Sequence, residues 1–305
     1  MAVLKPAGIF KLLKKAFQEF RQNDPLRMAA ATAFFANFAL PPILIILVEI
    51  FGLFANPRTI RRNLFDQLGK VLGNNILSQI RETMHNVRNL KMSWLIAAGG
   101  FLFLIFIATT LFAIIRDSIN QIWKIQLKKK PGIGFVLAYR AKSVAIIMAA
   151  GILFFGVTVA EATGTFIKEQ ISEGGYGPAI FFINLFKQFT TMLLVMVWFT
   201  LIFKFLADGR PNWKVAGAGG IFTGLLFTAG KLLLRSLLLH SNMQTIYGAS
   251  ASVVLLLLFV FYSSFIFYYG ASFTKVWAEH FNQPIHPTRH AIQYTLEWKK
   301  VNDEV

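Results

Sequence analysis

The sequence predicts an all-α polytopic membrane protein: six transmembrane helices in one bundle, with amphipathic helices at the amino terminus and on the extracytoplasmic side. Three observations carry that prediction. Of 305 residues, 55% are hydrophobic and only 15% charged, against about 25% charged in an ordinary soluble domain. Apolar runs recur at the length of a membrane crossing, roughly 20 residues for a hydrocarbon core about 30 Å thick. Lysine and arginine outnumber the acids 31 to 14, for a net charge of +17, and most of them lie between the apolar runs. This composition excludes an ordinary soluble enzyme and a polar, disordered chain. With no cysteine in the chain, a disulfide framework, a thiolate zinc site, an iron–sulfur cluster and a thiol nucleophile are all excluded. In a soluble protein the basic excess would point to nucleic acid. In a chain this apolar it marks the flanks of membrane spans, and no nucleic-acid partner is expected.

The amino-terminal segment, residues 1–27, is expected to be cytoplasmic and amphipathic, with Leu4 to Phe20 read as a helix. Phe10, Leu13, Phe17 and Phe20 recur at helical spacing, with Lys11, Lys14 and Lys15 between them. Such a helix either lies along the membrane surface with its lysines among anionic headgroups or packs beneath the bundle. Span one covers Met28 to Val48 and contains Pro41-Pro42 in its middle. Proline removes a helix hydrogen bond and disfavours helical geometry in the residue before it, so a break or sharp kink is expected there. Span two runs from Met92 to Ile115, span three from Ser143 to Ala160, and span four from Pro178 to Phe203. Span five runs from Val215 to about Leu239, and span six from Ile246 to Thr274. The six-helix domain thus occupies 28–277, with an extracytoplasmic helical insertion at about 55–91 and a cytoplasmic tail at 278–305. In the insertion, Ile60, Leu64, Leu68 and Val71 share one face and Ile80, Met84 and Val87 another, with Gly73-Asn74-Asn75 as the turn between two short helices. No cleavable signal peptide is expected, because the first apolar stretch has span length and no small-residue cleavage pattern.

Orientation follows from the basic residues. The amino tail, the loop between spans two and three, the loop between spans four and five and the carboxyl tail together hold 20 Lys and Arg, and the opposite side holds 8. By the positive-inside rule both termini are cytoplasmic, which agrees with an even number of spans.

Five charges fall in or near the hydrocarbon zone: Glu49, Glu161, Lys187, Lys231 and Arg235. One charge at mid-bilayer costs around 3 kcal/mol on insertion scales, so each is a candidate substrate-binding residue. Lys231 and Arg235 are four apart and share a helix face. They either snorkel to the outer interface or form a basic site for an anionic headgroup, which Lys187 could join and Glu49 and Glu161 could neutralise. Small residues mark close helix contacts: Ala216, Gly220 and Gly224 at four-residue intervals in span five, and Gly248 at the start of span six. The five histidines form no metal constellation, and HExxH, P-loop, GxSxG and strand–helix GxGxxG patterns are missing. No catalytic residue, metal or cofactor is expected, and the protein is not expected to be an enzyme.

Several of these segments together resemble a known family. AATAFFANFALPPILIIL, RDSINQIWKI, NWKVAGAGGIFTGLLF and IYGASASVVLLLLFVFYSSFIFYYGAS are similar to the motifs of the YihY/BrkB family of bacterial inner-membrane proteins, formerly labelled ribonuclease BN. The resemblance covers about residues 20 to 280 and implies six spans and an inner-membrane location. Two elements depart from the family pattern. Ser272 stands where an acid is usual, and KFLADGRPNWK replaces a Tyr/Pro-rich link. The ribonuclease label finds no support here, because a zinc-dependent nuclease needs a His/Asp metal cluster that the chain lacks.

The leading expectation is a monomeric bundle that binds or moves an anionic lipid or amphiphile. Lys231, Arg235 and Lys187 would hold the headgroup, and span one would open at Pro41-Pro42. The rival expectations are a non-transporting envelope scaffold and an ion or small-solute transporter that uses Glu49 and Glu161 as ligands. Membrane lipids, chiefly anionic ones, are the expected partners.

Overall fold

The computed structural model describes residues 6–52, 94–128, 177–239, 247 and 250–295, with scattered positions in 62–85 and 132–156. The side chains of Glu49, Lys187 and Arg235 fall outside that description, as do Glu161 and Gly248 altogether. In chain order the elements are α1 (Pro6–Arg21), α2 (Pro25–Gly52), α3 (Trp94–Ile122), β1 (Ile125–Leu127), α4 (Gly177–Phe205), β2 (Gly209–Arg210), α5 (Trp213–Leu239), α6 (Ala251–His280), β3 (His286–Pro287) and β4 (Ala291–Gln293). The molecule is mostly helical, as its sequence requires.

The five helices α2 to α6 are 27 to 30 residues long, about 40–45 Å at 1.5 Å per residue. Among the described residues, the stretches Gln188–Phe205 and Val253–His280 combine span length with mean hydropathies of 1.6 and 2.1. Helix α6 is the axis of the bundle and packs against α1, α2, α3 and α5, while α4 packs on α5 and α3 on α2. The core holds Val48, Ile119, Trp123, Phe203, Leu206 and Tyr268, each almost fully buried. On α4 the side chains of Leu185, Phe186, Phe189 and Leu193 point outward. So large an uncovered apolar surface belongs in lipid rather than water.

The proline pair does not break α2, which runs unbroken from Pro25 to Gly52 through Pro41 and Pro42. Each proline forfeits only its own bond to the carbonyl four residues earlier. The bonds on either side hold the helix, so the expected break is absent. The loop expected after span two is also corrected. RDSINQI continues α3 to Ile122, because Arg116, Ser118, Ile119 and Asn120 are buried against other elements. The carboxyl tail is not a free end, since its strands pair antiparallel with the strands that follow α3 and α4. Gln126 faces Ile292 in one ladder, and Arg210 faces His286 in the other. In the insertion the described residues are helical, and Leu64, Phe65, Leu77 and Ile80 are buried.

Candidate functional site

The start of α2 and the ends of α3, α4 and α6 meet at one end of the bundle, and polar side chains concentrate there. Helix α1 stops because Asn23 caps it, its Nδ2 donating to Glu19 O at 2.7 Å. Asp24 follows with φ of 52° and turns the chain into α2, where Pro25 suits the first helical position. At the end of α3, Lys124 also adopts a positive φ, 56°, and directs the chain into β1. Trp123 is fully buried and anchors this turn, its Nε1 donating to Ala271 O of α6 at 3.0 Å. Lys124 Nζ donates to Asn23 Oδ1 at 3.2 Å, which joins the two turns.

A buried ion pair fixes the loop between α4 and α5 to this end. Arg116 Nε lies 2.8 Å from Asp208 Oδ2, with the side chains only 8% and 10% exposed. Asn120 clasps the same aspartate twice. Its Nδ2 donates to Asp208 Oδ2 at 2.7 Å, and its Oδ1 accepts the Asp208 N–H at 2.9 Å. The tail closes over the loop, Thr288 N–H donating to Asp208 O at 2.8 Å. Gly209 is required beside it, because a Cβ there would come within 2.7 Å of Ile285 Cγ2 and of Trp123 Cε3. Burial lowers the Lys142 ammonium from its ordinary value, the Asp208 charge opposing that shift. Burial raises the Asp117 carboxyl, with Arg116 pulling it down and Asp208 adding to the rise.

Between these turns lies a cavity of about 660 Å³. Its wall carries charges of both signs, Asp24, Arg27, Arg116, Asp117 and Lys124, with Tyr294 of the tail on one side. Amide side chains complete the polar wall, and Ile125 and Leu127 add apolar surface. Such a wall can orient a polar ligand through charge-assisted hydrogen bonds. Among the described residues no group of three His, Asp or Glu could hold a metal ion.

Helix α1 lies across the bundle on α6. Leu12, Ala16 and Phe20 are buried against it, while Phe10 and Phe17 are 70% and 50% exposed. Lys275 pairs with Glu19, and Lys15 with Glu279 at 2.9 Å. Tyr269 donates from its hydroxyl to Leu13 O at 3.2 Å. The helix is thus both docked and amphipathic, with uncovered phenylalanines and lysines on its remaining surface.

Of the five charges expected from sequence, Lys231 alone has its side chain among the described residues. Lys231 is half-buried on α5, 18 residues from Trp213 and so about 27 Å along the axis from the polar end. Arg235 follows one turn later on the same helix, Lys187 belongs to α4 and Glu49 to α2. Gly220 and Gly224 lie at the α4–α5 contact. A Cβ on Gly220 would strike Thr200 Oγ1 and sit 2.7 Å from Thr200 N, and one on Gly224 would sit 2.6 Å from Met196 Cγ. Arg116, Asn120 and Asp208 escaped the sequence reading. Their signal was an arginine and an asparagine one helical turn apart at the end of a span, and an acid between apolar residues in a loop on the same side.

Comparison with known proteins sets this geometry in context. A family model described as "Virulence factor BrkB" matches residues 16–293. A UPF0761 membrane protein of Saccharophagus degradans is 28% identical over 267 residues, covering 86% of this chain and 58% of its own. One from Mannheimia succiniciproducens is 26% identical over 272 residues, with 87% and 89% covered. One from Legionella pneumophila is 23% identical over 295 residues, with 94% and 67% covered. The chain therefore spans little more than half the length of some relatives and nearly all of another. No solved structure matches.

Proposed function

The chain belongs to the virulence factor BrkB family, and on that premise we propose an inner-membrane protein that binds or translocates an anionic lipid or amphiphile. The observation that carries this reading is α1. It is a basic helix docked on α6 through Leu12, Ala16 and Phe20, with Phe10 exposed and Phe17 half-exposed beside Lys11 and Lys14. Apolar side chains dip into the acyl boundary while lysines meet anionic headgroups, the arrangement of an interfacial helix.

The direction of the helices supports six spans. Helix α3 ends at the polar end, and so does α4, which begins about 43 Å away at its 29-residue length. A further crossing between Leu127 and Gly177 fits this layout and the sixth span. The described residues 140–143, 145, 146 and 151–153 in that interval are helical. The four segments carrying most of the Lys and Arg meet at one end, which the positive-inside rule makes the cytoplasmic one. Lys231 and Arg235 then lie toward the opposite face, where they and Lys187 supply cations for an anionic headgroup. The reading requires no catalytic step.

Mass spectrometry of lipids retained after gentle purification tests it, comparing wild type with Lys231→Ala/Arg235→Ala. The expected result is an anionic lipid enriched over its share of the source membrane and lost in the variant. Bulk-like lipid in both samples contradicts the reading and favours a scaffold or ion-transporting role.

A further inference from the structure

The cavity at the polar end lies far from Lys231 and Arg235 and calls for a different ligand. Its volume of about 660 Å³ falls within the range of small-molecule sites, roughly 300–1,000 Å³. Arg116 lines it, but the guanidinium is already engaged with the buried Asp208 carboxylate. The other charges on the wall balance, Arg27 and Lys124 against Asp24 and Asp117. Arg27 lies 3.8 Å from Asp24, and Asp117 3.5 Å from Arg116, and pairs whose carboxylate is this exposed are weak enough to open to a ligand. A balanced wall does not select a simple anion or a simple cation. It suits a group that carries both signs, each meeting its opposite.

Backbone strain marks the same place. Asp24, Lys124 and Asn282 have positive φ among the described non-glycine residues, and the first two line this cavity. A left-handed lysine costs of order 1–2 kcal/mol where glycine would cost nothing. Here the strained backbone sets a cation and a carboxylate on facing turns, tied together by the Lys124–Asn23 hydrogen bond. Strain held by surrounding structure is a recurrent property of binding sites. The cavity also opens where α1 ends, next to the helix that the proposed function places at the membrane interface.

We propose that this cavity binds a phosphoethanolamine group, Arg27 and Lys124 taking the phosphate and Asp24 and Asp117 the ammonium. The ligand chemistry is the same for a membrane lipid headgroup and for a soluble phosphoethanolamine ester. The inference rests on the membrane placement of the proposed function but not on its anionic ligand or on Lys231 and Arg235. Each therefore fails or stands by its own variants.

The test uses the full chain in nanodiscs of phosphatidylcholine, doped in turn with phosphatidylethanolamine or phosphatidylglycerol, with bound lipid counted by native mass spectrometry. A parallel arm adds soluble glycerophosphoethanolamine, glycerophosphocholine or inorganic phosphate and follows thermal protection. Asp24→Asn, Asp117→Asn and Arg27→Gln are the variants. Asp24 and Asp117 are 73% and 69% exposed, and asparagine tolerates the left-handed backbone at position 24, so these proteins stay folded. The expected result is a preference for the ethanolamine headgroup over choline that each aspartate variant reduces roughly five- to tenfold, about the effect of one ordinary hydrogen bond. Arg27→Gln weakens all phosphate-bearing ligands together. Binding confined to the lipid arm identifies a bilayer source, and binding in both arms a headgroup recognised without its acyl chains. Equal binding of choline and ethanolamine headgroups overturns the proposal, as does preference for phosphatidylglycerol or a preference unmoved by the aspartate variants.

Discussion

Replacing Arg116 with methionine removes the guanidinium that faces Asp208 and keeps most of the side-chain volume. The pair is 2.8 Å apart, and neither side chain is more than 10% exposed. After the substitution the Asp208 carboxylate keeps Asn120 Nδ2 as its partner but has lost its countercharge in a solvent-poor pocket. Breaking a buried pair from one side costs about 3–5 kcal/mol, chiefly because the surviving charge is stranded. Asp117, itself an acid and 3.5 Å from the same guanidinium, cannot replace the lost countercharge. Adding Asp208→Asn removes the stranded charge and retains an amide able to bond Asn120. The double variant is expected to recover at least about half of the loss, a coupling of roughly 2 kcal/mol. Reversible unfolding in mixed micelles, monitored by tryptophan fluorescence, measures each corner of the cycle. A loss under about 1 kcal/mol for Arg116→Met, or a double variant whose cost is the sum of the two singles, refutes the reasoning.

Two further outcomes follow from the geometry. Gly220→Leu forces a side chain into Thr200 on α4, where part of the obstruction is backbone. It should lower the melting temperature or abolish monodisperse protein on size exclusion, and a well-behaved variant with unchanged melting contradicts the helix contact. Asp117 holds its proton to a higher pH in the folded chain than in the unfolded one, because burial raises its carboxyl above the ordinary 3.8. The folded state then binds more protons between those two values, so this group's stabilisation is full at low pH and fades as pH rises through the folded value. Solvent screening keeps the effect small. Asp117→Asn should flatten that part of the stability–pH curve, and an unchanged slope in the variant contradicts the assignment.

The long helices were legible because apolar run length reports directly on span-length elements. Their ends were less so. Charges at Arg116 and Asp117 read as the close of a span, yet α3 continues to Ile122 because Arg116 meets Asp208, 92 residues away. No local pattern reveals that partner. The amphipathic character of α1 was visible, but its buried face was not. The stripe of phenylalanines suggested one apolar side, whereas Leu12, Ala16 and Phe20 are buried and Phe10 and Phe17 face outward. Two apolar surfaces, one for protein and one for lipid, look alike in sequence. At Pro41-Pro42 the expected break does not occur, because a proline pair costs hydrogen bonds only locally and the neighbouring bonds keep α2 continuous. The polar cavity was illegible because its wall is assembled from three separate segments whose residues look like ordinary loop residues.

The proposed topology puts the amino segment, the segments after α3 and α4 and the carboxyl tail together at one cytoplasmic end of a membrane bundle. The chain has no cysteine, so a single introduced thiol is the only one to react. Cysteines placed at Gln22, Gln126, Arg210 and Arg289, one per variant, would be challenged with a membrane-impermeant maleimide in intact spheroplasts and in inside-out vesicles, with Asn74→Cys as the opposite-face control. The account predicts labelling of the four only in inside-out vesicles and of position 74 only in spheroplasts. Labelling that divides the four between the two faces contradicts it.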